Sequence, residues 1–172
     1  YRKYENLINH PMKPVITSRA PCKERIMMGK DVNLYDFPAP TVHDGDGGRY
    51  IGTWNTIIIK DPDSDWINWG MYRVMIHDKR AVSLRLHMQN DGGRIYHTKY
   101  LSRKMAMPAA VVIGSDPLSS MVGAIRFDQG ISEVEYAGAL HQEPIELVKC
   151  ETNDLLVPAH AEIVLEGEVI PD

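Results

Sequence analysis

With 172 residues and a mass of 19.4 kDa, the chain is long enough for one domain with a sizeable core. A hydrophobic fraction of 44%, a charged fraction of 24% and a net charge of −4 fit an ordinary globular protein and offer no basic face for nucleic acid. No apolar run approaches the roughly 18 residues of a membrane-spanning helix. No signal peptide opens the chain, and Cys22 and Cys150 match no zinc spacing, so a reducing, cytoplasmic setting is expected.

Residues 1–50 are punctuated by Pro11, Pro14, Pro21, Pro38 and Pro40 and read as an extended lead-in with short strands. Asp44-Gly45-Asp46-Gly47-Gly48 is a turn cluster that opens like a calcium loop, but its twelfth position is Asn55 rather than Glu, which rejects the motif. Residues 51–60, 66–76 and 81–88 are β-rich and separated by corners at 61–65 and 77–80, which predicts a three-stranded meander. In the second strand Asn68 and Arg73 stand in an apolar run. They face opposite sides unless a bulge intervenes, with Gly70 as the candidate.

Gln89-Asn90-Asp91-Gly92-Gly93 breaks the sheet, residues 95–105 have mixed helical character, and 107–114 form a short buried strand. Asp116-Pro117 supplies an N-cap and a first-turn proline for a helix through Leu118, Met121, Val122 and Ile125. Ser132 to Glu135 fits a capping box in which Glu135 reaches back to Ser132 and leaves Glu133 free. Residues 145–150 and 161–170 are strand-like. The expected class is mainly β with covering helices (α+β), an antiparallel barrel.

There is no phosphate loop, nucleophile elbow, HExxH or strand-linked GxGxxG, and the seven histidines form no local pair at ligand spacing. A site must therefore be assembled from distant segments. Asn68, Arg73 and His87 are polar residues in apolar surroundings, and Glu133 opens a helix. An amide oxygen, an imidazole and a carboxylate suit Mn²⁺ or Mg²⁺ better than zinc, and such an ion would bridge to a phosphate. The competing readings are structural: Asn68 satisfying backbone groups, Arg73 snorkelling to solvent, His87 as a satisfied core residue, Glu133 favouring the helix dipole.

The short segments Pro21-Cys22-Lys23-Glu24, Pro38-Ala39-Pro40, Asp46-Gly47-Gly48-Arg49-Tyr50 and Asn68-Trp69 through Arg73 form an ordered series. Gly130-Ile131-Ser132-Glu133, Tyr136-Ala137-Gly138, Val148 through Asp154, Val157-Pro158-Ala159 and Glu162 through Gly167 continue it. Together they resemble the UbiD family of reversible, non-oxidative decarboxylases that use prenylated flavin mononucleotide. The resemblance covers nearly the whole chain.

It implies a split β-barrel like that of flavin reductases over residues 51–172, with residues 1–50 leading in, and an ending ahead of the family's catalytic acids and C-terminal domain. It implies prenylated FMN or FMN, held through Mn²⁺ or Mg²⁺, with K⁺ as a further ion. Asn68 and Glu133 fall on the family's metal-binding Asn and Glu. The metal His is matched either by His87 or, if Gln89 holds the family's Gln position, by Asn90. Arg73 falls on the arginine that contacts the cofactor and the catalytic acids. Thr53, the Met71-Tyr72 backbone, Gln89 and the Gly123-Ala124-Ile125 turn match positions lining the flavin.

The implied partners are an aromatic or α,β-unsaturated carboxylic acid, the parent's C-terminal domain with homo-oligomerisation through it, and a flavin prenyltransferase as cofactor supplier. Nucleic acid and membrane are not among them. For the isolated polypeptide the expectation is a flavin-binding module without turnover, with a flavin reductase as the reading from fold analogy.

Overall fold

Ile57, Ile58 and Ile59 are all fully buried, which a strand permits only where both of its faces are covered. The computed structural model describes residues 9–171; residues 1–8 of the expected lead-in, and Asp172, lie outside the described residues. Its strands are β1 (Val15–Ile16), β2 (Tyr50–Gly52), β3 (Asn55–Lys60), β4 (Ile67–Gly70), β5 (Val74–Ile76), β6 (Val82–Leu84), β7 (Met107–Ile113), β8 (Glu146–Lys149), β9 (Leu156–Pro158) and β10 (Ile163–Val169). The helices are α1 (Asp91–Ile95), α2 (Pro117–Ala124) and α3 (Glu133–His141), and short 3-10 turns take the place of further strands in the lead-in.

The strands form three open sheets, ordered β10-β7-β3-β4, β2-β5-β6 and β1-β8-β9. They do not close into the single antiparallel barrel that the strand pattern predicts, and β1 pairs with β8 in parallel. The central four-stranded sheet has a core on each face. Ile58, Trp69, Ala110 and Val112 pack with Leu147, Val148 and Val157. Ile57, Ile59, Ala109 and Val111 pack on the other side with Val74 and Ile95, joined by Val82 and Leu84. Alternate residues of β3 thus serve opposite cores, as a period of two requires. Cys150 is buried in the first core and Cys22 packs against it, both as free thiols.

The expected meander is split. β3 and β4 pair in one sheet, whereas β5 and β6 pair with β2 in another, so the chain changes sheets across Met71–Arg73. Gly70 is not a bulge: it pairs in register with Ile57, and the strand ends there. The reason is steric, because a Cβ at Gly70 would lie 2.3 Å from the Tyr72 hydroxyl oxygen.

Helical structure begins at Asp91, earlier than expected, and continues through a π turn at Tyr96–Tyr100 and a 3-10 turn at Leu101–Arg103. Asn90 is its N-cap, accepting from the Gly93 N–H at 2.7 Å. The corner after β3 is tied to this helix by buried Asp61, which binds Lys99 at 2.5 Å. No helix among the described residues is long and apolar enough to cross a membrane.

α2 has the expected cap, with Asp116 Oδ1 accepting from the Ser119 N–H at 2.9 Å. Asp116→Ala is expected to cost about 1 kcal/mol, read as a lower thermal midpoint. α3 differs from expectation: Ser132 is its N-cap but makes no side-chain bond, and the Glu135 N–H donates instead to the Ser132 carbonyl at 3.1 Å. There is no capping box, and Glu133 is committed elsewhere.

Candidate functional site

β4 is an edge strand, so the outward N–H of Trp69 has no ladder partner. Glu133, the first residue of α3, covers it: Oε2 accepts from the Trp69 N–H at 3.0 Å and Oε1 from Asn68 Nδ2 at 2.8 Å. Asn68 is 2% exposed and Glu133 3% exposed. The start of α3 is held there by Trp66, whose indole N–H donates to the Ile131 carbonyl at 2.7 Å.

Asn68 pairs with Ile59 and therefore points to the face of the second core, where Tyr72 packs. The Tyr72 hydroxyl lies 3.3 Å from Asn68 Oδ1 and accepts from the Gly92 N–H at 3.2 Å. The Tyr72 carbonyl accepts from Asn55 Nδ2 at 3.2 Å, and the Met71 N–H donates to the Gly123 carbonyl at 3.0 Å. The crossover is thereby fastened to the starts of β3 and α1 and to the end of α2.

Burial pushes the Glu133 carboxyl up to about 7, against the pull of the Trp69 and Asn68 donors and the N–H of its own helix turn. Burial likewise pushes the Tyr72 phenol up to about 12, against the Gly92 N–H. No Lys, Arg or His among the described residues pairs with Glu133. A carboxylate this dry, held only by neutral donors, suits a hard cation or a proton. The donor set therefore fits a divalent ion at two positions, Asn68 Oδ1 and Glu133. No three His, Cys, Asp or Glu side chains cluster as a cage among the described residues, so further donors would come from a ligand or a rearranged side chain.

The other predicted residues divide into two groups. Met71, Tyr72 and Gly123 belong to the hydrogen-bonded assembly, with Arg73 next in the chain, exposed and without an ion pair among the described residues. Thr53 is exposed in the turn before Asn55, and Ala124 and Ile125 are exposed at the end of α2. His87 is not on a strand: β6 ends at Leu84, and His87 and Gln89 are exposed in the turn leading to α1. The His87 ring nitrogen Nε2 lies 2.5 Å from Arg85 Nε, whereas its backbone packs against Gly93. Asn90 is occupied as the helix cap.

Sequence reasoning passed over Asn55 and Thr56. Both are 1% exposed, and Asn55 Oδ1 and Thr56 Oγ1 have no hydrogen-bond partner among the described residues. Thr56 Oγ1 faces Gly123, where a Cβ would stand 3.4 Å away. Two polar residues directly ahead of three buried isoleucines were the available signal.

Residues 13–172 match the UbiD family profile described as the 3-octaprenyl-4-hydroxybenzoate carboxy-lyase Rift-related domain. The chain is 36% identical to pyrrole-2-carboxylic acid decarboxylase of Pseudomonas aeruginosa over 94% of its own length and 32% of that protein. It is 35% identical to ferulic acid decarboxylase 1 of Saccharomyces cerevisiae over 91% of its own length and 32% of that protein. It thus spans about a third of the curated relatives it matches.

Among solved structures, the UbiD-class enzyme HmfF from Pelotomaculum thermopropionicum in complex with FMN superposes with a TM-score of 0.92 at 31% identity. That match covers 99% of this chain and 38% of that one. An evolved dimeric form of HmfF in complex with prFMN gives 0.90 at 31% identity, covering 99% and 40%. The fold is mixed α+β and shared with these enzymes over almost every residue. On the match of residues 13–172, the chain belongs to the UbiD family.

Proposed function

We propose that this chain is the cofactor-holding domain of a UbiD-class decarboxylase, binding prenylated FMN or FMN through a divalent ion at Asn68 and Glu133. The observation that carries the reading is the Glu133 carboxylate, 3% exposed, without a cationic partner among the described residues and bonded to the Asn68 amide. Mn²⁺ or Mg²⁺ would take Asn68 Oδ1 and Glu133 from the chain and a phosphate from the flavin, with K⁺ as a further ion. For His87 to join, its ring would turn away from Arg85; for Asn90, the cap on α1 would open.

When bound, prenylated flavin supplies an electron sink at the carbon that loses or gains CO₂. The chain's own part is binding and orientation. Arg73 is the catalytic candidate, its exposed guanidinium able to grip a carboxylate through two parallel N–H donors. Thr53, Met71, Tyr72, Gln89, Gly123, Ala124 and Ile125 line the cofactor in this reading. The substrate class is an aromatic or α,β-unsaturated acid, in keeping with relatives named for pyrrole-2-carboxylic and ferulic acids.

The sheets are read as a split barrel over residues 51–172, with residues 1–50 as its lead-in. Support comes from the second core, which strands of both the four-stranded sheet and the β2-β5-β6 sheet enclose. No acid among the described residues pairs with Arg73, and general acid catalysis needs a positioned acid. In this reading the chain alone is a binding module, and turnover belongs to a whole enzyme of the length of the relatives, of which it spans about a third.

The test is native mass spectrometry with an absorbance spectrum after incubation with FMN and Mn²⁺. Stoichiometric flavin is expected, lost on Asn68→Ala or Glu133→Ala. No retention with either Mn²⁺ or Mg²⁺ overturns the metal-bridged reading, and CO₂ exchange above background overturns the module reading.

A further inference from the structure

The contacts around Asn68 have a fixed direction. The Gly92 N–H can only donate, so the Tyr72 oxygen accepts there at 3.2 Å and its one proton is left for Asn68 Oδ1 at 3.3 Å. The Asn68 amide must then present oxygen to Tyr72 and its NH₂ to Glu133 Oε1, at 2.8 Å. At the far end the Trp69 N–H, again only a donor, occupies Glu133 Oε2 at 3.0 Å. Two backbone donors thus bracket three side chains and, with Glu133 ionised, allow one orientation of each. With the amide reversed, Asn68 Oδ1 would meet a carboxylate oxygen.

We infer that the Tyr72 hydroxyl is a positioning residue that locks the Asn68 amide with its oxygen available to a cation. This rests on the proposed metal-bridged cofactor site. A carbonyl oxygen has two lone pairs; Tyr72 takes one and leaves the other. The phenol itself is held by close packing: Cβ atoms at Gly70 and Gly92 would come within 2.3 Å and 2.9 Å of its ring or hydroxyl. Those two glycines leave room for the ring, and the ring aims the hydroxyl. Tyr72 therefore acts on the ion through Asn68 rather than by touching it.

The variant that isolates this role is Tyr72→Phe, which keeps the ring between the glycines and deletes only the hydroxyl. Two measurements on the full chain are compared for wild type and Tyr72→Phe, with Asn68→Ala added in the first. The first is Mn²⁺ affinity by electron paramagnetic resonance in the presence of FMN. Tyr72→Phe is expected to weaken it by about 10-fold or more, the usual effect of deleting an outer partner of a metal ligand. The second is the exchange protection of the Asn68 side-chain NH₂ by NMR in metal-free protein, expected to be strong in wild type and lost in Tyr72→Phe.

Unchanged Mn²⁺ affinity in Tyr72→Phe, with binding lost in Asn68→Ala, overturns the inference and leaves the site reading intact. Absence of Mn²⁺ binding by wild type overturns both the site reading and the cation-directed part of the inference. The locking of the amide is then decided by the NMR measurement alone, where unchanged protection in Tyr72→Phe overturns it.

Discussion

Gly93→Ala is expected to destabilise the protein by about 3 kcal/mol, the upper end of the cost of overpacking. A Cβ at position 93 would lie 2.0 Å from the His87 carbonyl oxygen, 2.4 Å from its carbon and 2.7 Å from its nitrogen. All three are backbone atoms, so no rotamer change relieves the clash. The His87–Asn90 turn would have to move, although the Asn90 N–H is bonded to the His87 carbonyl at 3.0 Å and Asn90 Oδ1 to the Gly93 N–H at 2.7 Å. Displacing it uncaps α1 and pulls the Gly92 N–H away from Tyr72. Urea unfolding checks this: the midpoint should fall with little change in slope. Gly167→Ala, where nothing among the described residues lies within 4 Å, is the control and should stay within about 0.5 kcal/mol. A Gly93→Ala midpoint equal to wild type would contradict the contact.

The second large effect is a pH dependence specific to Glu133. Its carboxyl is pushed by burial up to about 7 in the folded protein, against about 4.3 for an unfolded chain. Between these values the folded state binds more protons than the unfolded one. The Glu133 contribution is therefore fully present below about pH 4.3, is lost as pH rises through 7, and is flat above. The total is about 4 kcal/mol, since each tenfold gain in proton affinity on folding is worth about 1.4 kcal/mol.

Other carboxyls slope the opposite way. Glu166 is one: burial pushes it up, but the Thr152 and Glu151 donors hold it below the ordinary range. The quantity to measure is thus the stability difference between wild type and Glu133→Gln in metal-free buffer from pH 4 to 8. Wild type should lose about 3 kcal/mol relative to the variant across that range. Parallel curves would mean that Glu133 does not titrate there.

What could be read from the sequence depended on whether neighbours along the chain decided it. The three isoleucines of β3 and the Asp116-Pro117 helix start are local features, and both stand where expected. Asn68 and Glu133, 65 positions apart, were paired by resemblance, and the structure joins their side chains directly. The failures have non-local causes. The run through Met71–Arg73 is apolar enough for one strand, but the Tyr72 ring lies across Gly70 and the chain leaves the sheet. Asp91-Gly92-Gly93 does break the sheet, but the glycines are required by Tyr72 and by the His87 backbone, and they sit inside a helix that composition places further on. The pattern Ser132-x-x-Glu135 fits a capping box, but nothing in that pattern shows that Ser132 makes no side-chain bond at the helix start.

The crossover between the two sheets has a consequence for Arg73. Met71 is fastened to α2, and Tyr72 to β3, β4 and α1, so four elements fix the backbone that carries the guanidinium. An arginine on a free loop would have to lose backbone entropy on meeting an anion, about 1–2 kcal/mol per residue ordered. Here that loss belongs to folding. Only the side-chain torsions remain to be restricted, and an irregular three-residue segment presents its charge from as firm a base as a strand would.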